Sequence, residues 1–307
     1  MPKARRALKQ MRRAVGVTTA EHIATGLVEG QHLAGPLRVY KEESAADSLA
    51  SMPPAEIAAC MVREIHVVDP HREARAVGVA LPGIIRCGVV EESPNLHQLK
   101  GAHMQDLISK ALQEAGILAP VAVFNDADVM SAGLAATRGL LDQQIRVWTL
   151  GNGIGFGVYP WREGVWEGGH IVVSLDPRER YCGCGGTGHL EGVMGNRAMR
   201  LRFLDLEPDE IFENARQGDA RCADFVKLWH RALAAGTASS IHMAGPGKFF
   251  ICGFNAKHLD LNLLDQYLHE MVKMSPLQGY VLEVVPGGDE IGVVGAAVNA
   301  LRAAFPD

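Results

Sequence analysis

Two cysteines one residue apart, Cys182 and Cys184, stand in the run Cys182-Gly183-Cys184-Gly185-Gly186-Thr187-Gly188-His189-Leu190-Glu191, and His170 precedes it. Two thiolates and two imidazoles fill the four positions of a tetrahedral ion, which makes a closed structural site and favours zinc. Glycines let the backbone fold tightly around such an ion. His170, Cys182, Cys184 and His189 are therefore the candidate metal ligands. The close pair reads as a ligand pair and not as a bridge, because a large, core-rich cytosolic domain does not need disulfides. Cys60, Cys87, Cys222 and Cys252 are dispersed and read as buried, inert thiols.

A second candidate centre is Phe124-Asn125-Asp126-Ala127-Asp128-Val129, where a short apolar run meets a helical one. Open α/β sheets place ligands at such strand ends. Aspartate is also a favoured helix N-cap, and the residues alone leave both roles open for Asp126. A third is Leu150-Gly151-Asn152-Gly153-Ile154-Gly155-Phe156-Gly157. Glycines at alternate positions allow close backbone approach to an anion. A hairpin turn without a ligand has the same composition.

The elements that must hold these residues can be read from periodicity. AVGVTT, HIATGLVEG and HLAGPLRVY read as strands with small-residue turns, and Pro54 to Val67 as a helix. RAVGVALPG is a buried strand stopped at Pro82-Gly83. MQDLISKALQEAG is an amphipathic helix with Gly116 as its stop. VAVFND is a short strand that runs into the helix ADVMSAGLAATRG. After it come the strand, turn and strand of RVWTLGNGIGFGVY, helices over much of Leu190 to Met243, the strand KFFICGF, the helix LLDQYLHEMVKM, the strand YVLEVV and an apolar closing helix. Strands and helices alternate in both halves, and each half opens with a hairpin, which predicts an α/β protein of two similar lobes.

The motifs resemble those of the ROK family (repressor, open reading frame, kinase). Glu167-Gly168-Gly169-His170 resembles its E-x-G-H, and Cys182 to Glu191 its C-x-C-G-x-x-G-C-x-E, with His189 in place of the third cysteine. Asn125-Asp126-Ala127 resembles its N-D-A, Pro94-Asn95-Leu96 its P-N-L, and Pro82-Gly83 its P-G turn. The resemblance implies a two-lobed actin-like ATPase / sugar kinase (ribonuclease H-like) fold with a zinc-binding loop over 170–191. The sequence itself reads as a basic tail over 1–13, a small lobe over 14–125 and a large lobe over 126–290, with the boundary near 125–145; the resemblance adds that the closing helix, 291–307, completes the small lobe. By the same resemblance Asp126 is the general base, and Gly83, Asn95, Asn125, Asp126, Glu167, His170 and Glu191 contact a sugar. His170 then serves both metal and sugar, one nitrogen on each. Gly151, Asn152, Gly153, Gly155 and, in Ile251-Cys252-Gly253-Phe254-Asn255, Gly253 fall on the nucleotide side. The family's first phosphate turn, D-x-G-G-T, falls on Val17-Thr18-Thr19-Ala20-Glu21-His22. There Val17 replaces the aspartate that helps to place magnesium, both glycines are gone, and Glu21 adds a charge that repels phosphate.

The retained Asp126 favours an ATP-dependent hexose kinase, with Mg-ATP as the donor beside a structural zinc. The altered first turn favours either a sugar sensor without turnover or changed chemistry on the same sugar site. The first 13 residues carry six basic side chains but are too short for a helix-turn-helix, so no DNA-binding domain is expected. No run approaches the ~18 apolar residues of a membrane span, and the basic start lacks a signal-peptide core. A net charge of −5 gives the body no nucleic-acid character. The expectation is a cytoplasmic protein with a small-molecule sugar as its partner; the resemblance adds a homodimer or tetramer.

Overall fold

The fold was described from a computed structural model covering residues 13–19, 22–40, 48–93, 96–161 and 167–306. The basic tail before Arg13, together with Ala20, Glu21 and Asn95, lies outside the described residues. The chain forms two compact units. The first holds the described residues within Met1–Gln143, Gly157–Val165 and Gly288–Asp307; the second holds those within Gln144–Phe156 and Trp166–Gly287.

The first unit opens with β1 (Arg13–Thr19), β2 (Ile23–Glu29), β3 (His32–Leu33) and β4 (Arg38–Val39), followed by α1 (Pro54–Val68) and β5 (Val77–Leu81). A small hairpin of β6 (Ile84–Arg86) and β7 (Val89–Glu92) precedes α2 (Met104–Glu114), β8 (Val121–Asn125) and α3 (Asp126–Thr137). The main sheet runs β3-β2-β1-β5-β8, with β4 also on β2. β1 is antiparallel to β2 and parallel to β5, which is parallel to β8. The second unit contains β9 (Ile145–Leu150), β10 (Ile154–Tyr159, whose last residues join the first unit), α4 (Leu190–Met194), α5 (Asn196–Arg202), α6 (Pro208–Arg216), α7 (Ala220–Ala244), β11 (Lys248–Cys252), α8 (Leu261–Met271) and β12 (Val281–Val284). Its sheet runs β10-β9-β11-β12, with β11 parallel to both β9 and β12. The chain then returns to the first unit as α9 (Asp289–Ala304).

Alternation along β1 sorts the first unit's core. Val15 and Val17 join Ile57, Met61, Ile108 and Leu112 in an apolar cluster with α1 and α2. Ala14 belongs instead to the cluster under α9, with Val293, Ala296 and Ala297. Gly16 faces the same way, and a β-carbon there would overlap the Val293 carbonyl, so only glycine lets the α9 backbone lie on the sheet. One at Gly295 would overlap the Val129 carbonyl of α3 in the same manner. This close helix pair keeps α3 with the first unit, and the division falls at Gln143.

In the second unit Trp148 and Trp229 are buried with Phe212, Leu233 and Leu264. Each indole N–H finds an acceptor, Trp148 on Thr237 Oγ1 at 3.1 Å and Trp229 on the Met194 carbonyl at 3.2 Å, so neither is left as a buried orphan. Arg202, stacked 4.4 Å over Tyr181, pairs with Glu179 and fastens the glycine-rich loop to α5.

Two expectations are corrected. Val17, Thr18 and Thr19 do not lie in the turn itself. They are strand, paired through Thr19 with Ile23, and Val17 is 0% exposed. Cys87 is exposed and not buried, because it sits with Gly88 at the tip of the β6–β7 hairpin. Both have positive φ, 48° and 75°, as a two-residue turn of the right twist requires.

Candidate active site and metal centre

The acid-base candidate sits at the β8–α3 junction, where sequence left Asp126 two roles. Asn125 takes the capping role. It is extended (φ −69°, ψ 148°), and its Oδ1 accepts the Ala127 N–H at 2.8 Å. Asp126 is therefore the first residue of α3. Its own Oδ1 also accepts the Ala127 N–H at 2.8 Å. The side chain is exposed by surface area, yet it is densely surrounded by protein. Access decides whether a reactant can reach the carboxylate, and by that measure it is open. Crowding decides the direction of its pKa: loss of surrounding water raises it, while the Ala127 N–H pulls it down.

Asn125 also reaches across to the Pro82-Gly83 turn, donating from Nδ2 to the Gly83 carbonyl at 2.7 Å. Gly83 has φ +114°, and a β-carbon would overlap the Glu92 carbonyl. The turn is pinned from its other side by Ser93, whose hydroxyl donates to the Pro82 carbonyl at 2.8 Å and accepts the Leu96 N–H at 3.3 Å. Gly83, Asn125 and Asp126 are thus brought together. Ser93 was missed by sequence reasoning; a serine two residues before Asn95 is a turn-forming signal that could have found it.

The metal candidates of the second unit converge. Ligand atoms of His170, Cys182, Cys184 and His189 all lie within 4.8 Å of one another. The two sulfurs are 3.4 Å apart, and Cys184 Sγ lies 3.2 Å from His189 Nδ1. Tetrahedral zinc bonds put sulfurs about 3.8 Å apart and sulfur and nitrogen about 3.6 Å apart, so these two pairs stand within about half an ångström of that spacing. The glycines are explained by the fold. Gly188 has φ +72°, and a β-carbon there would overlap the Ser174 carbonyl; one at Gly186 would overlap the His189 ring. Burial, with Cys184 and Glu191 alongside, raises the pKa of the Cys182 thiol, and burial together with His170 lowers that of His189. A neutral imidazole is the form that binds metal.

Glu167 is exposed and opens the short turn that carries His170, whose N–H donates to the Glu167 carbonyl at 2.9 Å. Glu191 lies in the first turn of α4, with Oε1 4.0 Å from His170 Nε2. Its Oε2 accepts the Ile154 N–H at 3.0 Å, directly after the glycine turn. That turn, Gly151–Gly153, joins β9 to β10; Gly151 N–H donates to the Gly153 carbonyl at 3.0 Å. Asn152 and Gly153 are exposed, and Gly155 lies on β10. Gly253, with φ +93°, ends β11 against β9, where a β-carbon would overlap the Leu150 carbonyl. The Phe254 ring, half-exposed, lies over Gly151.

Comparison with known proteins follows from this geometry. The model of the ROK family matches residues 30–303. A glucokinase of Pyrobaculum calidifontis is 28% identical over 244 residues, covering 75% of this chain and 79% of that protein. An N-acetylmannosamine kinase of Escherichia coli is 31% identical over 171 residues, covering 52% of this chain and 57% of the other. The ROK hexokinase structure from Thermus thermophilus superposes with a TM-score of 0.73 at 23% identity, over 95% of this chain and 98% of that one.

Proposed function

The chain belongs to the ROK family and has the actin-like fold of its sugar kinases, and from that premise we propose that it is an ATP-dependent hexose kinase with Asp126 as general base. The observation that supports this most is the division of labour at the β8–α3 junction. Asn125 caps the helix, so the Asp126 carboxylate stays open. In the proposed step Asp126 accepts the proton of a sugar hydroxyl. That oxygen bonds to the γ-phosphorus as the bond from phosphorus to the ADP oxygen breaks. A raised pKa strengthens a carboxylate as a base once it is ionised.

Gly83 and Asn125, with Asn95, are the proposed sugar contacts of the first unit. Glu167, His170 and Glu191 are those of the second, accepting or donating to hydroxyls. His170, Cys182, Cys184 and His189 would hold zinc, which supplies no chemistry to the reaction and fixes the backbone that presents Glu167 and Glu191. Gly151, Asn152, Gly153, Gly155 and Gly253 form the proposed nucleotide side. ATP arrives as its magnesium complex. Val17 offers that magnesium no ligand, so no residue of this chain is assigned to it. The relatives' names support a hexose or an N-acetylhexosamine as acceptor. No described helix is long and apolar enough to cross a membrane. A cytoplasmic homodimer or tetramer remains part of the proposal.

Asp126→Asn tests the assignment. Sugar affinity measured by calorimetry should stay within a few-fold of wild type, while kcat falls by about 10²- to 10⁴-fold. Unchanged kcat removes Asp126 as base. The burial of Val17 at the aspartate position favours one second reading, sugar binding without turnover, and a wild type that binds sugar but never releases ADP would establish it.

A further inference from the structure

Within the second unit, one carboxylate touches both the metal cluster and the glycine turn. Glu191 follows the candidate ligand His189 by two residues. Its Oε1 faces the cluster, 3.7 Å from Cys182 Sγ and 4.0 Å from His170 Nε2. Its Oε2 accepts the Ile154 N–H at 3.0 Å, and a β-carbon at Gly153 would lie only 2.6 Å from that oxygen. The far end of α4 holds the same turn. Asn196 N–H donates to the Gly151 carbonyl at 3.2 Å, and a β-carbon at Gly195 would stand 2.7 Å from the Asn152 carbonyl. Asn255 Nδ2 donates to Asn196 Oδ1 at 2.7 Å and reaches the Gly151 carbonyl at 3.4 Å. The turn is thus gripped at both ends by residues 191–196, the stretch that begins just past His189. With the Gly151 and Ile154 amides so committed, those of Asn152 and Gly153 donate to no acceptor among the described residues. Two adjacent unpaired amides in an exposed turn can donate to an anion.

We propose that Glu191 is a positioning residue that transmits the order of the metal cluster to the Gly151–Gly153 turn and so sets that turn's affinity for the phosphates of the donor. Only the last clause rests on the kinase reading; the coupling between cluster and turn does not. The carboxylate acts as a hydrogen-bond acceptor here, and its charge, so near an anion site, works against binding. Glutamine keeps an acceptor oxygen and drops the charge; alanine drops both.

The test compares wild-type protein, metal-stripped wild type, Glu191→Gln and Glu191→Ala. Amide hydrogen exchange is followed over residues 151–155, and Mg-ATP and a hexose are titrated separately by calorimetry. Alanine substitution and metal removal should each speed exchange over 151–155 and raise the Kd for Mg-ATP, by about 10-fold for one lost charge-assisted hydrogen bond. Glu191→Gln should restore both to within about threefold, or bind Mg-ATP more tightly, as one removed like charge allows. Rescue by glutamine separates positioning from a general loss of structure. Unchanged exchange over 151–155 after metal removal, or in Glu191→Ala, overturns the inference. Faster exchange in a protein whose wild type never binds nucleotide would uphold the coupling and remove the donor assignment of the turn.

Discussion

The β1–β2 and β9–β10 connections share a position in their sheets and have opposite fates. Beside the first, the strands pair as far as Thr19 and Ile23, and Val17 is sealed among Val15, Ile57 and Met61. The second stays open: Gly151, Asn152 and Gly153 stand outside the strands, held by Glu191, Asn196 and Asn255. A turn that binds only a ligand is free to be absorbed into the core once its polar residues go. A turn that also carries contacts from a neighbouring helix is kept in shape by them. The difference teaches that, on the proposed kinase reading, the Gly151–Gly153 turn is the phosphate turn to test first.

The sharpest way to break the comparison is to restore the missing carboxylate. Val17→Asp puts an unpaired charge at a position that is 0% exposed, in an apolar cluster. It should cost ~3 kcal/mol or more in urea unfolding instead of rescuing magnesium binding. A stable Val17→Asp protein with tighter Mg-ATP binding would mean that the first turn is still a phosphate turn. Next in size is Gly153→Ala. Its methyl would press on Glu191 Oε2, so the KM for ATP should rise about 10-fold, the size of one disturbed charge-assisted hydrogen bond, while the KM for sugar moves less. Equal changes in both would assign the turn no special tie to the donor.

Smaller effects sharpen the account of the β8–α3 junction. Asn125→Ala removes the cap and the link to Gly83, and should lower stability by about 1–2 kcal/mol in denaturant unfolding. Asn125→Asp keeps the cap oxygen and should recover part of that loss. The pH profile gives the last prediction. A base must be ionised to work, and crowding raises the pKa of Asp126. Activity should therefore fall as pH drops through that raised value, on an acid limb above the ordinary carboxylate range of about 4. A limb at or below that range, measured on kcat/KM, would argue against Asp126 as the group that titrates.

Long elements were plain in the sequence because their apolar positions repeat. MQDLISKALQE is α2, and Gly116 ends it with φ +73°, as the glycine there predicts. The metal cluster was also legible, since cysteines one residue apart can hardly avoid each other and the glycines announce a tight loop. The short β6–β7 hairpin was not, because strands of three and four residues show no period, and Cys87 was misjudged with it. Which of Asn125 and Asp126 caps α3 depends on the backbone angles of one residue, and both types cap well. The burial of Val17 came from register: alternation along β1 turns Gly16 toward α9 and Val17 toward α1, a fact of pairing and not of composition. The role of Glu191 on the Ile154 amide was hidden for the same reason, since 37 residues separate the partners.

The central claim is turnover, and the direct measurement is sugar-dependent ADP release. Metal-loaded wild-type protein is incubated with Mg-ATP and a panel of hexoses and N-acetylhexosamines, with Asp126→Asn as the control. The account predicts release with at least one sugar by the wild type, cut by about 10²-fold or more in the control. No release with any sugar, alongside sugar binding seen by calorimetry, would contradict it and make the burial of Val17 the decisive feature of the molecule.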